Sequence, residues 1–145
     1  LREDATGPTL SDLVAAAGME VRFRAIVPDE RDEISRTLIA WSDQRRADLI
    51  LTAGGTGLAP RDVTPEATLD VLDRTIPGIA EAMRSASLQK TPHAMLSRAV
   101  AGVRGKTLII NLPGSPRGAK ENLEAVLSAV EHAAAKIQGD PSDCA

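Results

Sequence analysis

Aromatic side chains are nearly absent: the 145-residue chain has one Phe, one Trp and no Tyr. Proteins that hold nucleic acid strands stack bases on aromatic rings and follow the backbone with a basic groove. With a formal net charge of −3, this chain supplies neither. Cysteine occurs once, as Cys144 beside the C-terminus, so no internal disulfide can form and a reducing cytoplasm suits the chain. The two histidines, His93 and His132, have no Cys or Asp spacing around them that suggests a zinc site, and His132 reads as a solvated helix residue. No apolar run approaches membrane-spanning length, no signal peptide is visible, and neither an internal repeat nor a low-complexity segment occurs.

Hydrophobic residues make up 43% of the chain, which excludes general disorder, and the length suits one domain with a real core. Residues 1–138 are expected to form that domain, with 139–145 as a frayed tail. Leu1 is not an initiator Met, and the opening L-R-E-D-A-T-G-P reads as a loop already under way.

Periodicity supplies the elements. After Pro8, Leu10, Leu13, Val14 and Ala17 share a helical face that Gly18 ends. Glu20 to Val27 alternates and is expected to be a strand, broken by Pro28-Asp29. Ile34, Leu38 and Trp41 mark a second helix, and Leu49-Ile50-Leu51 reads as a parallel strand buried on both faces. Thr64-Pro65-Glu66 is expected to cap a helix running through Val71 and Leu72, and Ile79, Ala80 and Met83 line another after Pro77-Gly78. Met95 to Val103 and Thr107 to Leu112 read as an antiparallel hairpin around Arg104-Gly105-Lys106. Ser115-Pro116 opens the last helix, whose stripe is Leu123, Val126, Leu127, Val130 and Ala134. Alternating helices and strands predict an α/β three-layer sandwich around a mostly parallel sheet, with ligands at the carboxyl ends of the strands.

The densest chemistry lies in D-L-I-L-T-A-G-G-T-G-L-A-P-R-D-V-T-P-E-A-T, Asp48 to Thr68. Gly54, Gly55 and Gly57 let backbone N–H groups turn toward an anion around Thr56. A plain strand-to-helix turn could need the same glycines. A bare connection takes only about two to six residues, however, and this one is longer and carries Arg61 and Asp62 before Thr64. Pro113-Gly114-Ser115-Pro116 leads into a helix N-terminus, where unpaired N–H groups and the positive dipole end favour an anion. It could also be an ordinary capped helix start. Arg117 and Lys120, within the first turns, suit an anionic ligand better than they suit the helix dipole. Asp29 alone could be a helix cap, and Ser97-Arg98 could be routine strand residues. Together, two carboxylates near a phosphate cradle point to Mg²⁺ and to phosphoryl or nucleotidyl transfer. No Ser-His-Asp or Cys-His set can be assembled, since Cys144 lies in the tail.

These segments closely resemble the molybdenum-cofactor biosynthesis family that includes MogA, MoaB and the G domain of gephyrin. The resemblance rests on E-D-A-T-G-P at Glu3 to Pro8, V-P-D-E at Val27 to Glu30, and the Asp48 to Thr68 stretch. It continues through I-P-G-I-A-E-A-M-R at Ile76 to Arg84, A-M-L-S-R at Ala94 to Arg98, and L-I-I-N-L-P-G-S-P at Leu108 to Pro116. It implies a homotrimeric molybdopterin adenylyltransferase with Mg²⁺, ATP and molybdopterin, and a molybdate-insertion enzyme as a partner. By position it makes Asp29 and Asp62 the catalytic aspartates and candidate Mg²⁺ ligands. Gly54 to Gly57, Ser97 and the Pro113 to Pro116 turn would line the pocket, with Arg61 and Arg98 offsetting phosphate charge. Members of the family begin with an apolar strand central to the sheet. Nothing precedes Leu1 here, so the resemblance implies extra N-terminal residues in the natural protein, which its intact mass would show.

A trimeric homologue that binds pterin or a partner without turnover is the competing expectation. Thr56 and the Arg61-Asp62 order argue against the related molybdate-insertion domain, with its G-G-V-S-like turn, and against nucleotide amidases, with G-G-L-G.

Overall fold

The computed structural model describes residues 4–141; Leu1, Cys144 and the tail beyond Pro141 lie outside the described residues. Helix α1 spans Thr6–Ala16, and Gly18 takes φ +87 just beyond it, a left-handed turn that a glycine enters without a Cβ penalty. Helix α2 (Arg31–Ile39) runs into a π-helical turn, Ala40–Gln44, and is followed by β1 (Leu49–Ala53) and α3 (Thr64–Leu69). Next come β2 (Arg74–Thr75), α4 (Pro77–Leu88), a 3₁₀ turn (Pro92–Leu96), β3 (Ala101–Arg104), β4 (Thr107–Leu112) and α5 (Pro116–Ile137).

The strands form one sheet in the order β1-β4-β3-β2. β1 pairs with β4 in parallel, from Leu49 opposite Leu108 to Ala53 opposite Leu112. β3 and β4 form the expected antiparallel hairpin, turned at Gly105 with φ +56. Period-two alternation along β4 divides the core. Leu108, Ile110 and Leu112 point to α1, α4 and α5, joining Leu10, Met83, Leu123 and Val130. Ile109 points the other way, toward Ile50, Ile34, Leu38, Ala67 and Val71 from β1, α2 and α3. Helices thus cover both faces, the three-layer α/β architecture expected. Each such fully buried side chain contributes on the order of 1.5–3 kcal/mol.

One side chain ties the layers together. Asn111 is fully buried, and its amide donates to Thr52 Oγ1 at 2.9 Å and Thr68 Oγ1 at 3.0 Å while its Oδ1 accepts from the Val100 amide at 3.1 Å. A buried amide is tolerated only when satisfied in this way. It joins β1, α3 and the stretch before β3.

Several expectations need correction. The alternating stretch Glu20 to Val27 pairs with no strand among the described residues, because alternation supplies a face but not a partner. It is held instead by Phe23, whose ring lies 5.8 Å from Trp41 and under the Arg45 guanidinium at 4.5 Å. Ile26 stays 85% exposed. Met95 to Val100 is not strand: Pro92 starts a 3₁₀ turn, and regular pairing begins only at Ala101. The sheet is mixed, since β2 adds a second antiparallel pair with β3. Leu49 and Leu51 are half-buried, not closed in on both faces. Thr64 is the first residue of α3 rather than its cap, and α3 ends at Leu69.

Ser115 does cap α5: its Oγ accepts from the Gly118 amide at 3.1 Å. Ser115→Ala is expected to cost about 1 kcal/mol, measured as a drop in denaturant midpoint without a change in slope.

Candidate functional site

Three loops meet at the carboxyl end of β1 and β4. Gly54, at φ +97, donates its N–H to the Leu112 carbonyl at 2.9 Å. Across from it lies Gly114, where an added Cβ would stand 3.2 Å from the Gly54 Cα. The two backbones touch, and a side chain on Gly114 would separate them. Thr6, at the start of α1, donates its Oγ1 to the Gly114 carbonyl at 2.7 Å, which brings the E-D-A-T-G-P segment to the same edge.

The Gly54–Gly57 turn leaves donors open. Gly54 and Gly55 both have positive φ, and the Gly55, Thr56 and Gly57 amides donate to no group among the described residues. Successive free N–H groups in such a turn form an anion-binding concavity. The turn is also closed behind: Gly55 O accepts from the Thr64 amide at 3.2 Å, and a Cβ on Gly55 would fall 2.2 Å from Thr64 Oγ1.

Asp62 folds back on this loop. Its Oδ2 accepts from the Ala59 amide at 2.9 Å, and its own N–H donates to the Ala59 carbonyl at 2.8 Å. A Cβ on Gly57 would lie 3.0 Å from the same Oδ2, so glycine there leaves room for the carboxylate. Arg61 is exposed and makes no ion pair among the described residues. Asp29 is also exposed, in the turn before α2, and no hydrogen bond among the described residues joins it to the 54–64 loop. Two residues on, Arg31 grips Asp70 at 2.6 and 2.8 Å, so the Asp29 turn is anchored to the end of α3.

Arg98 behaves differently from the expectation. Its Nε donates to Gly57 O at 2.8 Å, its Nη2 to Asp62 O at 2.7 Å and its Nη1 to the Glu66 carboxylate, while its amide donates to Thr56 O at 2.9 Å. The guanidinium is directed into the loop. Hydrogen bonding to Arg98, offset in part by burial, holds the Glu66 carboxyl below the usual glutamate range. The contribution of this pair is therefore complete above the ordinary glutamate value and is lost as pH falls through the depressed one.

A cleft of ≈ 320 Å³ opens beside the loop, between the α5 N-terminus, α4 and the 3₁₀ turn. Of the expected site residues, Thr56, Gly57, Ser97, Pro113 and Ser115 line it. Asp29, Asp62, Arg61, Thr64 and Arg98 do not. Nor do Gly54, Gly55, Gly114 and Pro116, of which Gly54 and Gly114 form the contact beneath the turn.

The cleft also takes residues that sequence reasoning missed. Arg84 donates to the carbonyls of Ser97 at 3.3 Å and Ala99 at 2.9 Å, shaping the wall. Lys90 reaches Glu121 at 2.9 Å, and Arg117 shares that carboxylate at 3.0 Å. Bonding first to Lys90 and then to Arg117 holds the Glu121 carboxyl low. Arg84 sits inside the I-P-G-I-A-E-A-M-R segment, but periodicity gave no sign that it lines a cleft. Among the described residues no three His, Cys, Asp or Glu side chains converge in a metal-binding group. No helix among them is long and apolar enough to cross a membrane.

Comparison with known proteins identifies the family and supports the fold. Residues 1–132 match the family described as "Probable molybdopterin binding domain". A molybdopterin adenylyltransferase of Helicobacter pylori strain J99 is 44% identical over 141 residues, covering 95% of this chain and 80% of the relative. The crystal structure of the molybdopterin biosynthesis enzyme MoaB from Thermus thermophilus superposes with a TM-score of 0.91 at 54% identity, covering 98% of this chain and 89% of that one. The molybdopterin biosynthesis Mog protein of Mycobacterium ulcerans gives a TM-score of 0.89 at 41% identity, covering 94% and 88%.

Proposed function

This chain belongs to the molybdenum-cofactor biosynthesis family of molybdopterin-binding domains, and on that premise we propose that it is a molybdopterin adenylyltransferase. The observation that carries the reading is the Gly54–Gly57 turn, where the Gly55, Thr56 and Gly57 amides donate to no group among the described residues, beside the Asp62 carboxylate. In the reaction, an oxygen of the terminal phosphate of molybdopterin attacks the α-phosphorus of ATP. A new P–O–P bond forms, the bond to the β-phosphate oxygen breaks, and pyrophosphate leaves with that electron pair. The attacking phosphate is already ionised at neutral pH, so the chain needs no strong general base. Its work is positioning and charge stabilisation.

The amides of Gly55, Thr56 and Gly57 would take phosphate oxygens, and Arg61, exposed and without an ion pair among the described residues, would add a mobile cation over the loop. Ser97, Pro113 and Ser115 would line the organic part of the ligand in the cleft. A closed protein cage for a metal does not fit, since no three ligating side chains converge among the described residues. Mg²⁺ fits: it takes one or two carboxylates and completes its shell with water and substrate phosphates. Asp62, whose Oδ1 makes no bond among the described residues, and the exposed Asp29 would hold it. When bound, it would offset charge on phosphate oxygens.

A homotrimer, a molybdate-insertion enzyme that takes the adenylylated product, and a cytoplasmic setting complete the proposal. The exposed side chains of Leu58 and Met95, each 65% exposed, favour an assembly that covers them, and light scattering in solution tests it. The enzymatic reading predicts molybdopterin-dependent release of pyrophosphate from ATP. Tight pterin binding without any release would instead assign the binding-only alternative.

A further inference from the structure

Arg98 follows Ser97, which lines the cleft, yet Arg98 itself does not reach it. Ser97 is extended (φ −69, ψ 129), and neighbouring residues of an extended chain point to opposite sides. The Arg98 guanidinium spends one N–H on Gly57 O, one on Asp62 O and one on Glu66, and the Arg98 amide holds Thr56 O. These four bonds reach both ends of the turn that carries the free amides and Asp62, and they anchor it to α3 through Glu66. A planar fork with donors in fixed directions can make such a set; a point charge on a flexible stem cannot.

Building on the adenylyltransferase reading, we propose that Arg98 is a positioning residue: it sets the 56–62 turn, and so the aim of Asp62 and of the loop amides, instead of contacting substrate phosphate. The carbonyls of Thr56, Gly57 and Asp62 are drawn toward Arg98, and because the C=O and N–H of one trans peptide unit point opposite ways, the Gly57 amide is directed away from it. Glu66 fixes Arg98 in turn, so the chain of support runs from α3 through one ion pair to the loop.

The test compares Arg98→Lys, Arg98→Ala and Glu66→Gln with the wild type. One readout is molybdopterin-dependent pyrophosphate release, and the other is amide hydrogen exchange at Thr64, whose N–H bonds to Gly55 O. Lysine keeps the charge and loses the fork. The expected result is that Arg98→Lys falls with Arg98→Ala, each losing about tenfold or more in kcat while KM for ATP and molybdopterin moves by less than about twofold. Thr64 exchange accelerates in both, and Glu66→Gln shifts the same two readouts in the same direction by less. Near-wild-type turnover in Arg98→Lys, or a raised KM at unchanged kcat, would make Arg98 a direct charge contact and overturn the proposal. Unchanged Thr64 exchange would overturn it as well. If the wild type releases no pyrophosphate, the enzymatic reading fails, while the exchange measurement still decides whether Arg98 orders the loop.

Discussion

Asp62→Asn is expected to retain pterin binding and to lose on the order of 10²-fold or more of adenylyl transfer, the scale seen when one preorganised electrostatic group is removed from a transition state. The substitution is close to isosteric. An asparagine Oδ1 can still accept the Ala59 amide that Asp62 Oδ2 accepts at 2.9 Å, so the turn keeps its local bond. The backbone carbonyl of residue 62 also remains available to Arg98 Nη2. What disappears is the negative charge beside the amide cradle, and with it the affinity for a hard cation. Pyrophosphate release under saturating ATP and a direct pterin titration separate the two effects. Wild-type turnover in the variant would remove Asp62 from the chemistry, and equal loss of pterin affinity would give it a binding role.

Gly55→Val is expected to destabilise the fold and weaken ligand binding together. From the sequence alone, the danger of a branched side chain here is its approach to a bound phosphate. Tertiary structure changes the reason. At φ +70 a β-branched residue is a conformational outlier, which costs on the order of 1–3 kcal/mol. Its Cβ would also meet Thr64 Oγ1 at 2.2 Å and Thr64 Cβ at 3.2 Å, and Thr64 is buried. Overpacking adds roughly 1–3 kcal/mol. The clash is with the protein's own α3, before any ligand arrives. Chemical denaturation of Gly55→Ala and of Gly55→Ala/Thr64→Ala divides the two costs: the second substitution relieves the contact and leaves the backbone strain. A Gly55→Val protein with wild-type stability and unchanged pterin affinity would contradict both.

The loop was legible because its composition is unusual for a connection. Three glycines, an Arg-Asp pair and a Thr-Pro helix start within one segment are the composition proposed for an anion cradle, and they stand at a strand end. Ser115 as a cap was legible for a similar reason, since the cap bond to Gly118 spans only three residues. The role of Arg98 was not. Its partners Gly57, Asp62 and Glu66 lie more than thirty positions away along the chain, and nothing local in A-M-L-S-R says whether the guanidinium faces a ligand or the protein. Thr6 escaped for the same reason: its bond to Gly114 crosses 108 positions. Glu20 to Val27 misled because strand alternation is a local property, whereas a ladder also needs a neighbour's donors and acceptors.

By themselves, the residues determined which segments would be helical, which β-strands would enter the core, and which turn could hold a polyanion, because helix periodicity, caps and glycine turns act over a few positions. Only the tertiary structure decided that Gly54 and Gly114 touch, that Asn111 joins three elements, and that the Arg98 guanidinium bonds to the carbonyls of the 56–62 loop. Those outcomes depend on distances between residues remote along the chain, which are set by how helices and sheet pack and not by any local preference.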